Sequence, residues 1–199
     1  MHHFFVAPEQ INTGDNSVII TGQDVNHIKN VLRMKQGEEL AVSNGQDGRE
    51  YRCGILRMEE DRILCELRFI KEDNAELPCR IYLFQGLPKG DKMELIIQKA
   101  VELGVYSVIP LAAKRCVVKL DEKKAPSRIL RWQGISESAA KQSRRAIVPE
   151  VTKVSDFSSA VKWASRMAVK LIPYELAEDM TRTRQILGRL EPGQDVAVF

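Results

Sequence analysis

The chain has 199 residues, enough for one ordinary domain or two small ones, and 44% of them are hydrophobic, enough to build cores. Charged residues make up 29%, no apolar run has the length to span a bilayer, and Met1 to Pro8 lacks the apolar stretch of a secretion signal, so a cytoplasmic protein without membrane contact is expected. The net charge of +3 is unevenly placed: between Lys114 and Arg145 ten basic residues stand against three acidic ones, a net +7, leaving −4 for everything else. That pattern fits a local footprint for a polyanion, and it equally fits one solvated helix face. Cys53, Cys65, Cys79 and Cys116 form no CxxC pair and the three histidines make no zinc constellation, so no metal is expected and the thiols read as small buried side chains.

Up to Glu72 the chain reads as short strands, turns and one helix. Ser17 to Thr21 is β-branched and apolar, and Leu40 to Ser43 is a second short strand before the turn-rich Asn44-Gly45-Gln46-Asp47-Gly48. Tyr51, Cys53 and Ile55 share one face of a strand. After the turn Glu59-Glu60-Asp61, Ile63, Cys65, Leu67 and Phe69 do the same, which predicts a hairpin with one buried face. Val25, Ile28, Val31 and Leu32 recur at helical spacing, predicting a short helix that plugs one end of a small barrel. His27 on that helix reads as a structural histidine.

The expected division is a barrel domain over 1–72, a polar linker over 73–78 that ends in Pro78, and an α/β domain over 79–199. Cys79 to Gln85 is a nearly continuous apolar run of the kind buried on both faces of a parallel sheet. A helix should follow, capped by Asp91 with Glu94 at the box position, striped by Met93, Ile96, Ile97, Ala100 and Val101, and ended by a left-handed Gly104. Next come a strand over Val105 to Leu111, a long helix from about Ser127 to Arg145, and a helix capped by Asp156 and running through Trp163. A strand over Met167 to Ile172, a helix over Thr181 to Leu190 and a last strand over Asp195 to Phe199 complete the pattern. Alternating strands and helices imply a mainly parallel sheet.

No dinucleotide fingerprint, P-loop, nucleophile elbow or HExxH motif is present. What remains is Leu87-Pro88-Lys89-Gly90-Asp91-Lys92 between a strand and a helix, either a phosphate-binding turn or a plain structural one.

The run from Leu87 to Gly104, then Arg115-Cys116-Val117-Val118-Lys119, Arg131-Trp132, Ala139 to Ser143 and Arg145, together with Phe4-Phe5, His27, Val31-Leu32-Arg33 and Gly37, resembles the RsmE family in order and spacing over nearly the whole chain. The resemblance implies a PUA-like β-barrel that helps hold RNA, followed by a SPOUT (trefoil-knot) α/β domain that binds S-adenosylmethionine. It implies an enzyme that methylates N3 of a uracil in 16S ribosomal RNA of the 30S subunit and works as a homodimer. By position, Arg33, Lys89, Lys92, Arg115, Lys119 and Arg131 would face RNA, and Pro173, Tyr174 and Glu175 would form the first cofactor loop. Gln142 and Arg145 would stabilise the uracil anion left when the N3 proton departs. The general base is not assigned, because Ser138 stands where the family pattern has Glu and Glu137 lies one residue earlier, about 100° around a helix. His3 likewise replaces an arginine. The family's glycine-rich GPEGG loop would follow Phe199, so the chain is expected to stop inside the SPOUT domain. A non-catalytic protein that binds ribosomal RNA is the alternative.

Overall fold

The computed structural model describes residues 1–72, 76–114, 116 and 125–199, so the expected RNA contacts Arg115 and Lys119 lie outside the described residues. The chain divides into two compact units, Met1–Glu76 with Ala140–Val148, and Leu77–Ala139 with Pro149–Phe199. The first unit thus contains a segment far along the sequence from the rest of it.

In the first unit, β1 (His2–Phe5), β2 (Ile11–Asn12), β3 (Ser17–Thr21), β4 (Glu39–Ser43), β5 (Glu50–Met58) and β6 (Arg62–Lys71) form one sheet in the order β1-β4-β5-β6-β3-β2. β1 pairs parallel with β4, and every other pairing is antiparallel. A flat sheet of that order would part β1 from β2 by five strand spacings, about 24 Å. The short link between them, part of it the 3-10 turn Pro8–Gln10, cannot span that distance at about 2 Å per residue, so the sheet must curl. Alternation fills the interior. Val18 and Ile20, Leu40 and Val42, Cys53 and Ile55, and Ile63, Cys65 and Leu67 are all buried in one cluster. Burial pushes the thiols of Cys53 and Cys65 up to about 12, which leaves them inert at neutral pH.

The plugging helix is α1 (Gln23–Asn26), continued by a π-helical turn, His27–Val31. Val25 and Ile28 enter the core, but Val31 is exposed. The wider turn adds a residue and rotates Val31 away from the face that α-helical spacing predicts for it. His27 is exposed too, its ring edge-on to Phe4 with centroids 6.2 Å apart.

The second unit holds β7 (Arg80–Gly86), α2 (Lys92–Glu102), β8 (Ser107–Ala112), α3 (Ala125–Gln142), β9 (Glu150–Val151), β10 (Ser155–Asp156), α4 (Phe157–Ala164), β11 (Val169–Leu171), α5 (Thr181–Leu187) and β12 (Asp195–Val198). The sheet order is β10-β8-β7-β12-β11, with β9 also on β8, and all pairs are parallel. Phe84, Ile109, Leu111, Ala160, Ala164, Met167 and Ala197 form a core cluster, each large side chain contributing about 1.5–3 kcal/mol by burial. Three expectations change here. β7 is only half-buried at Ile81, Tyr82 and Leu83. Asp91 makes no side-chain cap on α2, because its backbone (φ −89°, ψ 9°) lies outside the extended region that aims a capping oxygen at the first-turn amides. α3 ends at Gln142, before Arg145. By contrast Asp156 does cap α4, accepting from the Ser159 amide at 2.9 Å, and Gly104 is left-handed at φ +99°.

Candidate functional site

Because every strand of the second sheet runs the same way, the segments that leave β7, β8, β11 and β12 emerge at one edge, the carboxyl edge. The chain moves outward from β7 to β8 and β10 and then returns through β11 to β12 on the opposite side of β7. A change of direction of this kind opens a crevice beyond the strand ends, the place where open α/β sheets take their ligands.

Lys89 and Lys92 leave β7 there and both are exposed, on a turn that Gly90 permits with φ +71°. Glu94 is drawn away from the capping role into an ion pair with Arg131, 2.8 Å from Nη2 to Oε1. Arg131 is therefore exposed but already paired. Ile172, Pro173, Tyr174 and Glu175 leave β11 and are all exposed, Ile172 at 78% and Tyr174 at 66%. The Ala177 amide donates to the Tyr174 carbonyl at 3.1 Å and closes a turn. Beside them an apolar cavity of about 270 Å³ is lined by Phe157, Val161, Ala164, Ser165, Lys170, Ile172 and Phe199. Phe199 itself stacks flat on the buried Phe84, ring centroids 4.6 Å apart.

α3 is clipped to β9 by side chains. The Ser136 hydroxyl donates to the Pro149 carbonyl at 2.6 Å, and Gln133 accepts from the Val151 amide at 2.8 Å. Ser138 and Glu137 are exposed.

The two residues expected to stabilise an anion part company in the first unit. Arg145 is 3% exposed. Its guanidinium is committed to Glu76: Nε donates to both carboxylate oxygens at 3.3 and 3.1 Å, and Nη2 makes a further short contact. Glu76 also accepts from the amides of Ala146 (3.0 Å) and Ile147 (3.2 Å). A carboxylate so loaded holds Arg145 inward, which corrects the expectation of an arginine facing the substrate. Gln142, by contrast, is exposed and lines a cleft of about 320 Å³ with His3, Asp24, His27, Lys141 and Arg144. Lys141 Nζ lies 3.4 Å from Asp24 Oδ2.

His3 has a defined tautomer. The Ser43 hydroxyl donates to the Arg49 carbonyl at 2.8 Å, so at 3.0 Å from His3 Nε2 it must accept, and Nε2 carries the proton. Burial, foremost, holds the His3 pKa below its usual value; Lys141, Arg52 and Arg144 push the same way and Glu50 opposes them. Arg33 and Arg144 share an unusual backbone, φ +53° and +56°, each just past a helical segment, and both are exposed. Glu76 and Arg144 carry no signal in the sequence beyond their charge, and only the fold shows what they do. Among the described residues no three side chains are grouped to hold a metal, and no helix is long and apolar enough to cross a membrane.

Residues 75–199 match the family described as RNA methyltransferase domain, and residues 20–68 match RNA methyltransferase PUA domain. Ribosomal RNA small subunit methyltransferase E of Bacillus subtilis is 42% identical over 156 residues, 78% of this chain. The chain spans 60% of that relative's length. Two solved structures cover all of this chain. A putative methyltransferase of Legionella pneumophila in complex with SAM has a TM-score of 0.78 at 29% identity, with 78% of its own chain covered. Ribosomal RNA small subunit methyltransferase E of Neisseria gonorrhoeae, bound to S-adenosyl methionine, gives 0.76 at 27% identity, with 79% covered. By these matches, and by a curled first sheet followed by a parallel second one, the chain belongs to the RsmE family of RNA methyltransferases, with a PUA-like barrel ahead of a SPOUT α/β domain.

Proposed function

We propose that the protein is an S-adenosylmethionine-dependent methyltransferase acting on N3 of a uracil in 16S ribosomal RNA of the 30S subunit. The observation that carries the reading is the carboxyl edge of the parallel sheet. In a chain of this family it brings the lysine turn Lys89–Lys92 and the apolar loop at Pro173, Tyr174 and Glu175 to one side.

The second of these fits the cofactor. The exposed Tyr174 ring, two residues on from the cavity-lining Ile172, suits a purine face, and Glu175 offers acceptors for sugar hydroxyls. Pro173, Tyr174 and Glu175, with Ile172 and Phe199, would hold it. When bound, S-adenosylmethionine supplies a methyl group activated by its sulfonium. Uracil N3 is a poor nucleophile until its proton leaves, and the resulting charge spreads onto two carbonyl oxygens. Donors and cations aimed at those oxygens lower the barrier. Gln142 can donate, while Arg145 serves through its hold on Glu76. Lys89, Lys92, Arg33 and Arg131, with Arg115 and Lys119, remain our RNA contacts. A homodimer and a cytoplasmic location go with the family and its ribosomal substrate in this reading.

One residue favours the alternative of RNA binding without transfer: Ser138, exposed on α3, has no carboxylate to take a proton. A single experiment separates the two. Purified protein is given labelled S-adenosylmethionine and small subunits from cells lacking this modification, and the digested RNA is examined for N3-methyluridine. Label in that nucleoside is the expected result. RNA binding with no label would establish the binding-only reading.

A further inference from the structure

Past Gln142 the end of α3 is a regular helix stop with an irregular residue in it. The Arg145 amide donates to the Ala140 carbonyl at 3.0 Å and the Arg144 amide to the Lys141 carbonyl at 3.4 Å. These two bonds make the Schellman arrangement, in which the residue between must be left-handed and is usually glycine. Here it is Arg144, at φ +56°. A side chain in that conformation is disfavoured, and such strain persists where the surroundings over-determine it. Glu76 is what over-determines it. It collects the next three residues, Arg145 through the guanidinium and Ala146 and Ile147 through their amides. With Arg145 turned inward, Arg144 is left exposed on the cleft wall, one turn from Lys141. Arg33 repeats the pattern in the same unit, exposed and left-handed at φ +53° where a glycine would be easier.

The remaining cleft groups suit an anion. His27 is exposed on the cleft wall. The Lys141–Asp24 contact is long, at 3.4 Å, with the side chains 29% and 21% exposed, and an anion that meets Lys141 at shorter range would compete with it. A volume of about 320 Å³ admits a phosphodiester with part of its sugar.

We propose that this cleft seats a backbone phosphate of the RNA, gripped by Lys141 and Arg144, with the Glu76–Arg145 clasp holding both in place. The proposal takes its ligand class from the function proposed above, but not its chemistry of methyl transfer. Glycine at 144 gives an unusual handle, because it relieves the strained backbone while removing the cation. The test uses the whole chain and a fluorescein-labelled oligouridylate, with affinity measured by anisotropy over a range of salt concentrations without S-adenosylmethionine. Removing one cation that neutralises a phosphate lowers the slope of log affinity against log salt by about 0.7 on a single strand. We expect Arg144→Gly to melt at or above the wild-type temperature and still lose that slope, Lys141→Ala to lose the same, and Lys35→Ala, exposed and off the cleft, to lose none. NMR of His3 should show its pKa rising when the oligonucleotide binds, since a nearby phosphate favours the protonated ring. Unchanged slopes for Lys141→Ala and Arg144→Gly overturn the seat, as does an equal loss for Lys35→Ala, which would mean diffuse attraction. Methyl transfer in the ribosomal assay with unchanged slopes would sink the seat alone, while reduced slopes with no transfer would sink the enzymatic reading alone.

Discussion

Glu76 and Arg145, 69 residues apart in sequence, form a buried ion pair in which one carboxylate serves a guanidinium and two backbone amides. Breaking a buried pair of this kind by removing one partner costs about 3–5 kcal/mol. Arg145→Met and Glu76→Gln should each lower the unfolding free energy measured by urea titration by an amount in that range. The double variant should recover part of the loss, because Gln at position 76 keeps an oxygen that can accept from the Ala146 and Ile147 amides. Additive single losses in a double-mutant cycle would show that the two side chains act independently.

Gly104 sits at φ +99°, and a Cβ built on it would lie 2.9 Å from Leu77 Cδ1. Leu77 is an exposed side chain that can move, so most of the cost of Gly104→Ala should be backbone strain, about 1–2 kcal/mol. Thermal melts of Gly104→Ala and of Gly104→Ala with Leu77→Ala check this. If the second substitution restored wild-type stability, the clash and not the conformation would be the cause.

Gly104 was legible in the sequence because a helix stripe ended just before a glycine, and the hairpin β5–β6 was legible because its apolar residues alternate, although Phe69, expected on the buried face, is 59% exposed. The stop at Arg144 was not, since no glycine marks it and the partner that enforces it, Glu76, is remote in the chain. The inward turn of Arg145 was hidden for the same reason: charge alone reads as exposure, and a buried arginine is identified only through its partner. The capping role expected of Asp91 failed on backbone geometry, while Glu94, three residues on, found Arg131 instead. The cofactor loop proposed at Pro173, Tyr174 and Glu175 rests on family resemblance, and the fold adds an apolar cavity at the neighbouring Ile172, which strand patterns do not encode.

His3 gives a pH signature. Its folded pKa lies below 6.5, mainly through burial, so the unfolded chain binds the proton more readily than the folded one. Stability from this group is complete above pH 6.5 and is lost as pH falls from there through the depressed folded pKa. Urea midpoints measured on either side of that window should fall toward acid, and His3→Gln should flatten that part of the curve. An NMR titration midpoint for His3 at or above 6.5 would contradict the assignment.

Tyr174 offers a test of the cofactor surface that stability cannot confound. Its ring is 66% exposed, so truncation removes little packing, and exposed substitutions of this kind stay within about 0.5 kcal/mol. A purine stacked on that ring would lose about 1–3 kcal/mol on Tyr174→Ala, or about 5- to 150-fold in affinity for S-adenosylmethionine by calorimetry, whereas Tyr174→Phe keeps the ring and should bind as wild type. If both variants weaken equally, the hydroxyl is the contact and the purine sits elsewhere. If neither does, the loop after β11 is not where the cofactor rests, and the apolar cavity at Ile172 and Phe199 must be tested in its own right.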